Sequence, residues 1–232
     1  MTSSIPPIFC AIDTDNLEQA VQTAQSIQST CGIKLGLEFF NAHGIKGVKQ
    51  VMNAAQNAPL FLDLKYNDIP NTVAGAIRAV TKDITPAFLN VHALGGIEMM
   101  RAAKNACPPS TKLLAVTILT SIDSENLDSL GMGTNVEGQV LRLAQLTKQA
   151  GLDGIVCSSH EIEAVRATCG DDFTLMVPGI RPKGSAVNDQ KRTMTPHEAM
   201  NKGATHLVIG RPITQNENPA QIATDITNTL AA

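Results

Sequence analysis

Apolar residues in this chain fall in short runs, and the stretches between them repeat apolar positions at helical spacing. Residues 8–12 form such a run, Asp15 stands where a helix N-cap would, and residues 17–27 follow with apolar and Ala positions on one helical face. The alternation then repeats. It predicts strands at 33–37, 60–64, 88–91, 113–118, 154–156, 175–177 and 206–209. The helices predicted between them lie within 45–55, from Pro70 to about 81, at 97–105, within 136–149, at 161–167, at 196–202 and at 219–230. Pro70 suits a first helical turn, because the N–H it lacks would be unpaired there. The tally is eight strands and eight helices in strict alternation, with no composition break to mark a linker. Eight such repeats within 232 residues favour a closed, single-domain (β/α)8 TIM barrel spanning 1–232 over an open sheet.

Composition fits that reading. Hydrophobic residues make up 43%, aromatics only 3%, and Trp is absent, so the core must rest on aliphatic side chains, as parallel strands covered on both faces require. A net charge of −3 without a basic tract points away from nucleic acid. No stretch approaches membrane-spanning length, and the first ten residues lack the basic and apolar regions of a signal peptide. The five cysteines are odd in number and show no CxxC spacing, as expected of reduced, mostly buried thiols in a cytoplasmic protein.

A barrel places function at the C-terminal ends of its strands. Polar residues gather there: Asp13 after the first strand, Lys34 in the second, Asp63 and Lys65 at the end of the third, His92 after the fourth, and Thr117, Thr120 and Ser121 after the fifth. The sharpest segment is Asp63-Leu64-Lys65-Tyr66-Asn67-Asp68-Ile69-Pro70-Asn71-Thr72. Two residues apart on a strand, Asp63 and Lys65 should share a face and point into the barrel mouth, with Leu62 and Leu64 turned toward the helices. Asp68 should open the next helix. By spacing alone the group could equally be an internal salt bridge and an N-cap.

The ends of the seventh and eighth strands form a second group. Pro178, Gly179 and Arg181 follow one, and Gly210 and Arg211 follow the other, where barrels often hold phosphate. Glycine allows close backbone approach there, and an arginine can clamp an anion with two parallel bonds. The long polar 181–192 loop, with Gly184 as a hinge and Gln190 as an amide contact, could fold over a ligand. His92 has no second ligand at metal spacing and reads as a hydrogen-bonded structural residue. The Cys157-Ser158-Ser159 run lacks the glycines of a nucleophile elbow, and Met99 and Met100 read as core.

The decapeptide at 63–72 resembles the signature of the orotidine 5′-phosphate decarboxylase family, bacterial type. So do Ala11-Ile12-Asp13, Ile33-Lys34-Leu35-Gly36, Asn90-Val91-His92-Ala93, Leu119-Thr120-Ser121, Val177-Pro178-Gly179-Ile180-Arg181-Pro182, Asp189-Gln190-Lys191-Arg192 and Ile209-Gly210-Arg211-Pro212-Ile213. Asn67 departs from the pattern, which usually has His at that place. The resemblance implies decarboxylation of orotidine 5′-monophosphate, with no metal or organic cofactor. It implies Lys65 as proton donor to C6, Asp63 beside the leaving carboxylate, and Lys34 linking Asp63 to the ribose hydroxyls. Asp13 is the implied ribose partner and Thr120 the group near the pyrimidine. Arg181, Gln190, Gly210 and Arg211 are the implied phosphate grip. Pro178 and the whole decapeptide, including Leu64, Tyr66, Asn67, Ile69, Pro70 and Asn71, are implied substrate contacts. Asp68 and Thr72 are implied to reach the neighbouring subunit's site in a homodimer.

Two other readings compete. Magnesium-dependent keto-sugar-phosphate decarboxylases and hexulose-phosphate synthases share an Asp-x-Lys-x-x-Asp core, but the Ile-Pro-Asn-Thr run after Asp68 and the Gln190 loop argue against them. A non-catalytic nucleotide-binding barrel could keep Arg211 yet would have no use for Lys34, Asp63, Lys65 and Asp68 together.

Overall fold

The computed structural model describes residues 5–56, 58–182 and 194–230. Eight parallel strands close into a barrel in sequence order, with the first paired to the eighth. They are β1 (Ile8–Ile12), β2 (Gly32–Gly36), β3 (Leu60–Tyr66), β4 (Phe88–His92), β5 (Lys112–Val116), β6 (Gly154–Val156), β7 (Thr174–Val177) and β8 (His206–Ile209). The helices are α1 (Leu17–Ile27), α2 (Leu37–Ala54), α3 (Pro70–Thr81), α4 (Gly96–Ala106), α5 (Ser124–Ser129), α6 (Val136–Gln149), α7 (Ile162–Cys169), α8 (Pro196–Asn201), α9 (Arg211–Thr214) and α10 (Pro219–Asn228). The expected (β/α)8 barrel is therefore present, but strict alternation is not. Two short helices, α5 and α9, and a 3-10 turn at Ala93–Gly95 are additional.

Several boundaries differ for physical reasons. Helix α2 begins at Leu37, well before the expected region, because Gly44 (φ 55°, ψ −158°) breaks the helix and hides its first turns from a periodicity reading. The α1 cap is Asn16, whose side chain accepts from the Gln19 N–H at 3.0 Å, and not Asp15. Nor does Asp68 cap α3. The N-cap there is Ile69, while Asp68 Oδ1 accepts from the Ile69 N–H at 2.6 Å, leaving Pro70 in the first turn as expected.

Alternation along the strands sorts the core into two parts. One set of side chains packs between sheet and helices, including Ile8, Ile33, Leu62, Leu89 and Leu207. The other fills the barrel interior with Phe9, Phe61, Phe88, Leu114, Met176 and Val208. Phe9 and Phe88 meet edge to face with centroids 5.4 Å apart, and Phe88 packs on the His206 ring at 4.9 Å. Gly32 makes this floor possible, since a Cβ there would lie 2.4 Å from the Phe9 ring. One strand step above the floor come Ala11, Lys34, Asp63, Asn90 and Gly210, so the apolar plug gives way directly to the charged rim.

His206 gives the barrel an acid sensitivity. Burial first, and Lys112 second, push its pKa down to about 4, against the hydrogen bond to the Pro6 carbonyl that raises it. A folded-state pKa below the unfolded value of about 6.5 means the unfolded chain takes up protons first. The stability that neutral His206 preserves is whole above pH 6.5 and is lost as pH falls toward 4, by at most about 3 kcal/mol. Urea midpoints measured between pH 7 and pH 4.5 should fall steeply in the wild type and less in His206→Gln. Equal slopes would remove His206 as the cause.

Candidate active site

At the C-terminal mouth of the barrel lies a cavity of about 310 Å³. Its charged wall is a chain of ion pairs. Lys34 Nζ lies 3.2 Å from Asp13 Oδ1 and 3.1 Å from Asp63 Oδ2, and Lys65 Nζ lies 2.6 Å from Asp63 Oδ1. Lys34 and Asp63 are buried, Lys65 is partly open to the cavity, and Asp13 faces solvent. Asp63 also accepts from Asn90 Nδ2 at 2.7 Å, so three nitrogen donors hold its two oxygens.

The electrostatics keep this group ionised. Burial raises the Asp63 pKa, but Lys34, Lys65 and the hydrogen bonds from Lys65 and Asn90 outweigh it and hold it down at about 2. Burial lowers the Lys34 pKa, and the two aspartates reverse the sign, so its net shift is upward. The cavity thus presents a fixed carboxylate and two ammonium groups, of which Lys65 is the more exposed.

Lys65 arrives there by a route that simple alternation does not describe. It sits at φ 48°, in the left-handed region, and the β3–β4 register shifts between Leu62 and Tyr66. Such a conformation costs a β-region residue on the order of 1–3 kcal/mol and persists only where its surroundings enforce it. Here the Lys65 N–H donates to Asn90 Oδ1 at 2.8 Å. Asp63 and Lys65 do meet, as expected, but through a bulge.

The same cavity brings in the other predicted group. Pro178, Gly179, Arg181, Gly210 and Arg211 line it, and Thr120 and Leu119 stand at the mouth. Arg181 is buried, and one of its guanidinium nitrogens donates to the Ile180 carbonyl at 3.2 Å. A cavity that carries carboxylate and ammonium groups together with arginines suits a ligand with an anionic tail.

The rest of the decapeptide does not line this cavity. Leu64 is buried in the layer beneath the helices, and Tyr66 packs against that layer. Asn67, Asp68, Ile69, Asn71 and Thr72 are exposed, and Pro70 is half-buried in the first turn of α3. Asn67 leans on the turn after β4: a Cβ at Gly95 would lie 2.9 Å from its Oδ1. Gln190, Gly184 and the remainder of the 183–193 segment lie outside the described residues. His92 is not the hydrogen-bonded residue expected, since its Nδ1 is buried with no hydrogen-bond partner among the described residues. Burial and then Lys65 lower its pKa, against the pull of Asp63. Among the described residues, no group of three or more His, Cys, Asp or Glu side chains is placed to hold a metal ion.

Sequence reasoning missed Asn90 as a part of the site. Its signal was present: it occupies the inward position between Phe88 and His92, where a polar residue must find a partner inside the barrel.

Comparison with known proteins identifies the family. A model of the family described as "Orotidine 5'-phosphate decarboxylase / HUMPS family" matches residues 6–226. A relative from Rhodospirillum rubrum named orotidine 5′-phosphate decarboxylase is 54% identical over 228 residues, covering 94% of this chain and 91% of its own. One of the same name from Sphingopyxis alaskensis is 47% identical over 225 residues, covering 97% and 99%. The crystal structure of orotidine 5′-phosphate decarboxylase from Lactobacillus acidophilus superposes with a TM-score of 0.85 at 35% identity, covering 99% of this chain and all of that one. With matches of this identity along nearly its whole length, the chain belongs to the orotidine 5′-phosphate decarboxylase / HUMPS family.

Proposed function

We propose that this protein is a carboxy-lyase that converts orotidine 5′-monophosphate to uridine 5′-monophosphate and CO2, the final step of pyrimidine nucleotide synthesis, with no cofactor. The observation that carries this reading is the Lys34–Asp63–Lys65 chain at the cavity wall, in a protein whose relatives carry that name.

Loss of CO2 leaves an electron pair on C6 of the pyrimidine with no conjugated sink. The barrier must therefore fall through charges already in place. The Lys65 ammonium stabilises the pair as it develops and then donates its proton to C6. Asp63, held ionised, stands beside the substrate carboxylate, and their repulsion is relieved as neutral CO2 departs. Lys34 keeps Asp63 in place and reaches the ribose hydroxyls with Asp13. Thr120 and Pro178 border the pyrimidine. The phosphate lies against Arg181, Gly210 and Arg211, with Gln190 closing over it, and binding energy at that end helps hold the reacting end in register.

We assign Asp68 and Thr72 to the neighbouring site of a homodimer. Both are exposed at the rim and outside their own chain's cavity. Leu37, Ile69 and Leu94, on the segments that follow β2, β3 and β4, are large apolar side chains 49%, 66% and 47% exposed, which suits a face covered by a second copy. The remaining decapeptide residues, Leu64, Tyr66, Asn67, Ile69, Pro70 and Asn71, shape the site by fixing the bulge and this face. We place the protein in the cytoplasm: its five cysteines are unpaired, and among the described residues no helix is long and apolar enough to cross a membrane.

Turnover of orotidine 5′-monophosphate should proceed at an undiminished rate in excess EDTA. Activity lost to the chelator and restored by magnesium would instead favour the metal-dependent sugar-phosphate chemistry. Arg211→Ala should weaken nucleotide binding and slow turnover, losing roughly 1.5–3 kcal/mol of charge-assisted contact with the phosphate dianion. If the variant kept the wild-type ratio of efficiencies for the nucleotide and the phosphate-free nucleoside, Arg211 would not be the phosphate partner.

A further inference from the structure

We infer that Asn90 is the positioning residue of this site: its carboxamide holds the Lys65 backbone in the left-handed turn and pins the Asp63 carboxylate against the Lys65 ammonium. The inference rests on the function proposed above and adds to it a residue that need not touch substrate.

The geometry leaves the amide one orientation. Asp63 can only accept and the Lys65 backbone N–H can only donate, so Asn90 must offer Nδ2 to the first (2.7 Å) and Oδ1 to the second (2.8 Å). Both contacts come from one planar group on a fully buried side chain. The spacing between the Lys65 backbone and the Asp63 carboxylate is therefore set by the width of an amide. Ladder pairing does not set it: between the Leu62–Leu89 and Tyr66–Val91 pairs the β3–β4 register slips, and Lys65 falls in the slip.

The residue type follows from these demands. A leucine would fill the space and satisfy neither group. An aspartate could accept from the Lys65 N–H but, when ionised, could not donate to Asp63. With Asn90 present, Asp63 Oδ1 takes two donors, Lys65 Nζ at 2.6 Å and Asn90 Nδ2 at 2.7 Å. Without the amide, the carboxylate is free to turn toward Lys34, and Lys65 loses the constraint on its backbone and the fixed position of its counter-ion.

Among the described residues, the charged surroundings of Asn90 are few. Asp63 and Lys65 face it from β3, with Lys34 and Asp13 behind Asp63. His92 lies two residues further along β4. On the other side, β5 sets Leu114 opposite Asn90 and Val116 opposite His92, and neither titrates.

Three measurements test the inference. In Asn90→Ala, kcat should fall roughly a hundredfold, the equivalent of one lost hydrogen bond to a charged group, while affinity for uridine 5′-monophosphate stays within about threefold because the phosphate wall is untouched. In Asn90→Asp, two carboxyl groups must share a proton for the contact to form. The ratio of variant to wild-type kcat should therefore climb as pH is lowered, because a protonated carboxyl at position 90 can both donate to Asp63 and accept from Lys65. A residue needed only for folding would change yield and stability but not that ratio. A crystal structure of Asn90→Ala, or of Asn90→Leu if the alanine variant does not fold, should show Lys65 relaxed out of the left-handed region. Near wild-type kcat in Asn90→Ala, a ratio independent of pH in Asn90→Asp, or an unmoved Lys65 would each overturn the inference. Failure of the wild type to turn over the nucleotide would count against the proposed function instead, and the crystal structure would still decide the positioning role.

Discussion

Replacing Lys65 with alanine should reduce turnover of orotidine 5′-monophosphate by at least about 10⁴-fold, because in the proposed mechanism one side chain supplies both the charge that stabilises the C6 electron pair and the proton that quenches it. Lys65 is the ammonium of the Lys34–Asp63–Lys65 chain that is open to the cavity. Lys34 is buried between two aspartates and cannot stand in for it. The variant should still fold, since Lys65 is partly exposed and its bond to Asn90 comes from the backbone. It should also still bind uridine 5′-monophosphate through the arginine wall. Lys65→Ala with intact product binding and a kcat within tenfold of wild type would mean that another group protonates C6.

The second large effect concerns two inactive proteins that recover when mixed. Asp68→Ala should also be inactive, because the proposed homodimer has Asp68 serve the neighbouring subunit's site. When Lys65→Ala and Asp68→Ala chains exchange subunits, each heterodimer holds one site with an intact Lys65 that receives an intact Asp68 from the other chain. The remaining site carries both defects. Random exchange makes about half the dimers mixed, with one good site of two, so roughly a quarter of wild-type activity should return under two-fold symmetry. The exposed position of Asp68 and the apolar rim at Leu37, Ile69 and Leu94 are the structural grounds. No recovery after demonstrated exchange would return Asp68 to its own chain's site.

Much of the scaffold was legible because buried strands and amphipathic helices repeat at different periods. Strands β1, β6 and β8 and helices α1, α3 and α6 lie where the pattern places them, α1 and α6 opening on Asn caps. The first half of α2 was hidden by the break at Gly44. Helices α5 and α9 are too short for periodicity to register. Ser124–Ser129 is almost wholly polar, and Arg211–Thr214 is a single turn.

The site was legible as chemistry before it was legible as geometry. Asp13, Lys34, Asp63, Lys65, Arg181 and Arg211 do line one cavity, as strand-end positions in a barrel imply. The bulge at Lys65 was not readable, because a left-handed lysine leaves no mark in a run such as Leu-Asp-Leu-Lys-Tyr. Asn90 was overlooked because an amide on a strand looks like any polar residue until its inward register, between Phe88 and His92, is counted.

The most direct test of the account is product analysis with metal-free protein. Orotidine 5′-monophosphate labelled with ¹³C at its carboxylate, incubated with wild-type protein in EDTA, should release labelled CO2 and uridine 5′-monophosphate in equal amounts, over many turnovers, while Lys65→Ala under the same conditions releases neither above background. A wild-type protein that binds the nucleotide but leaves the labelled carboxylate in place would contradict the account.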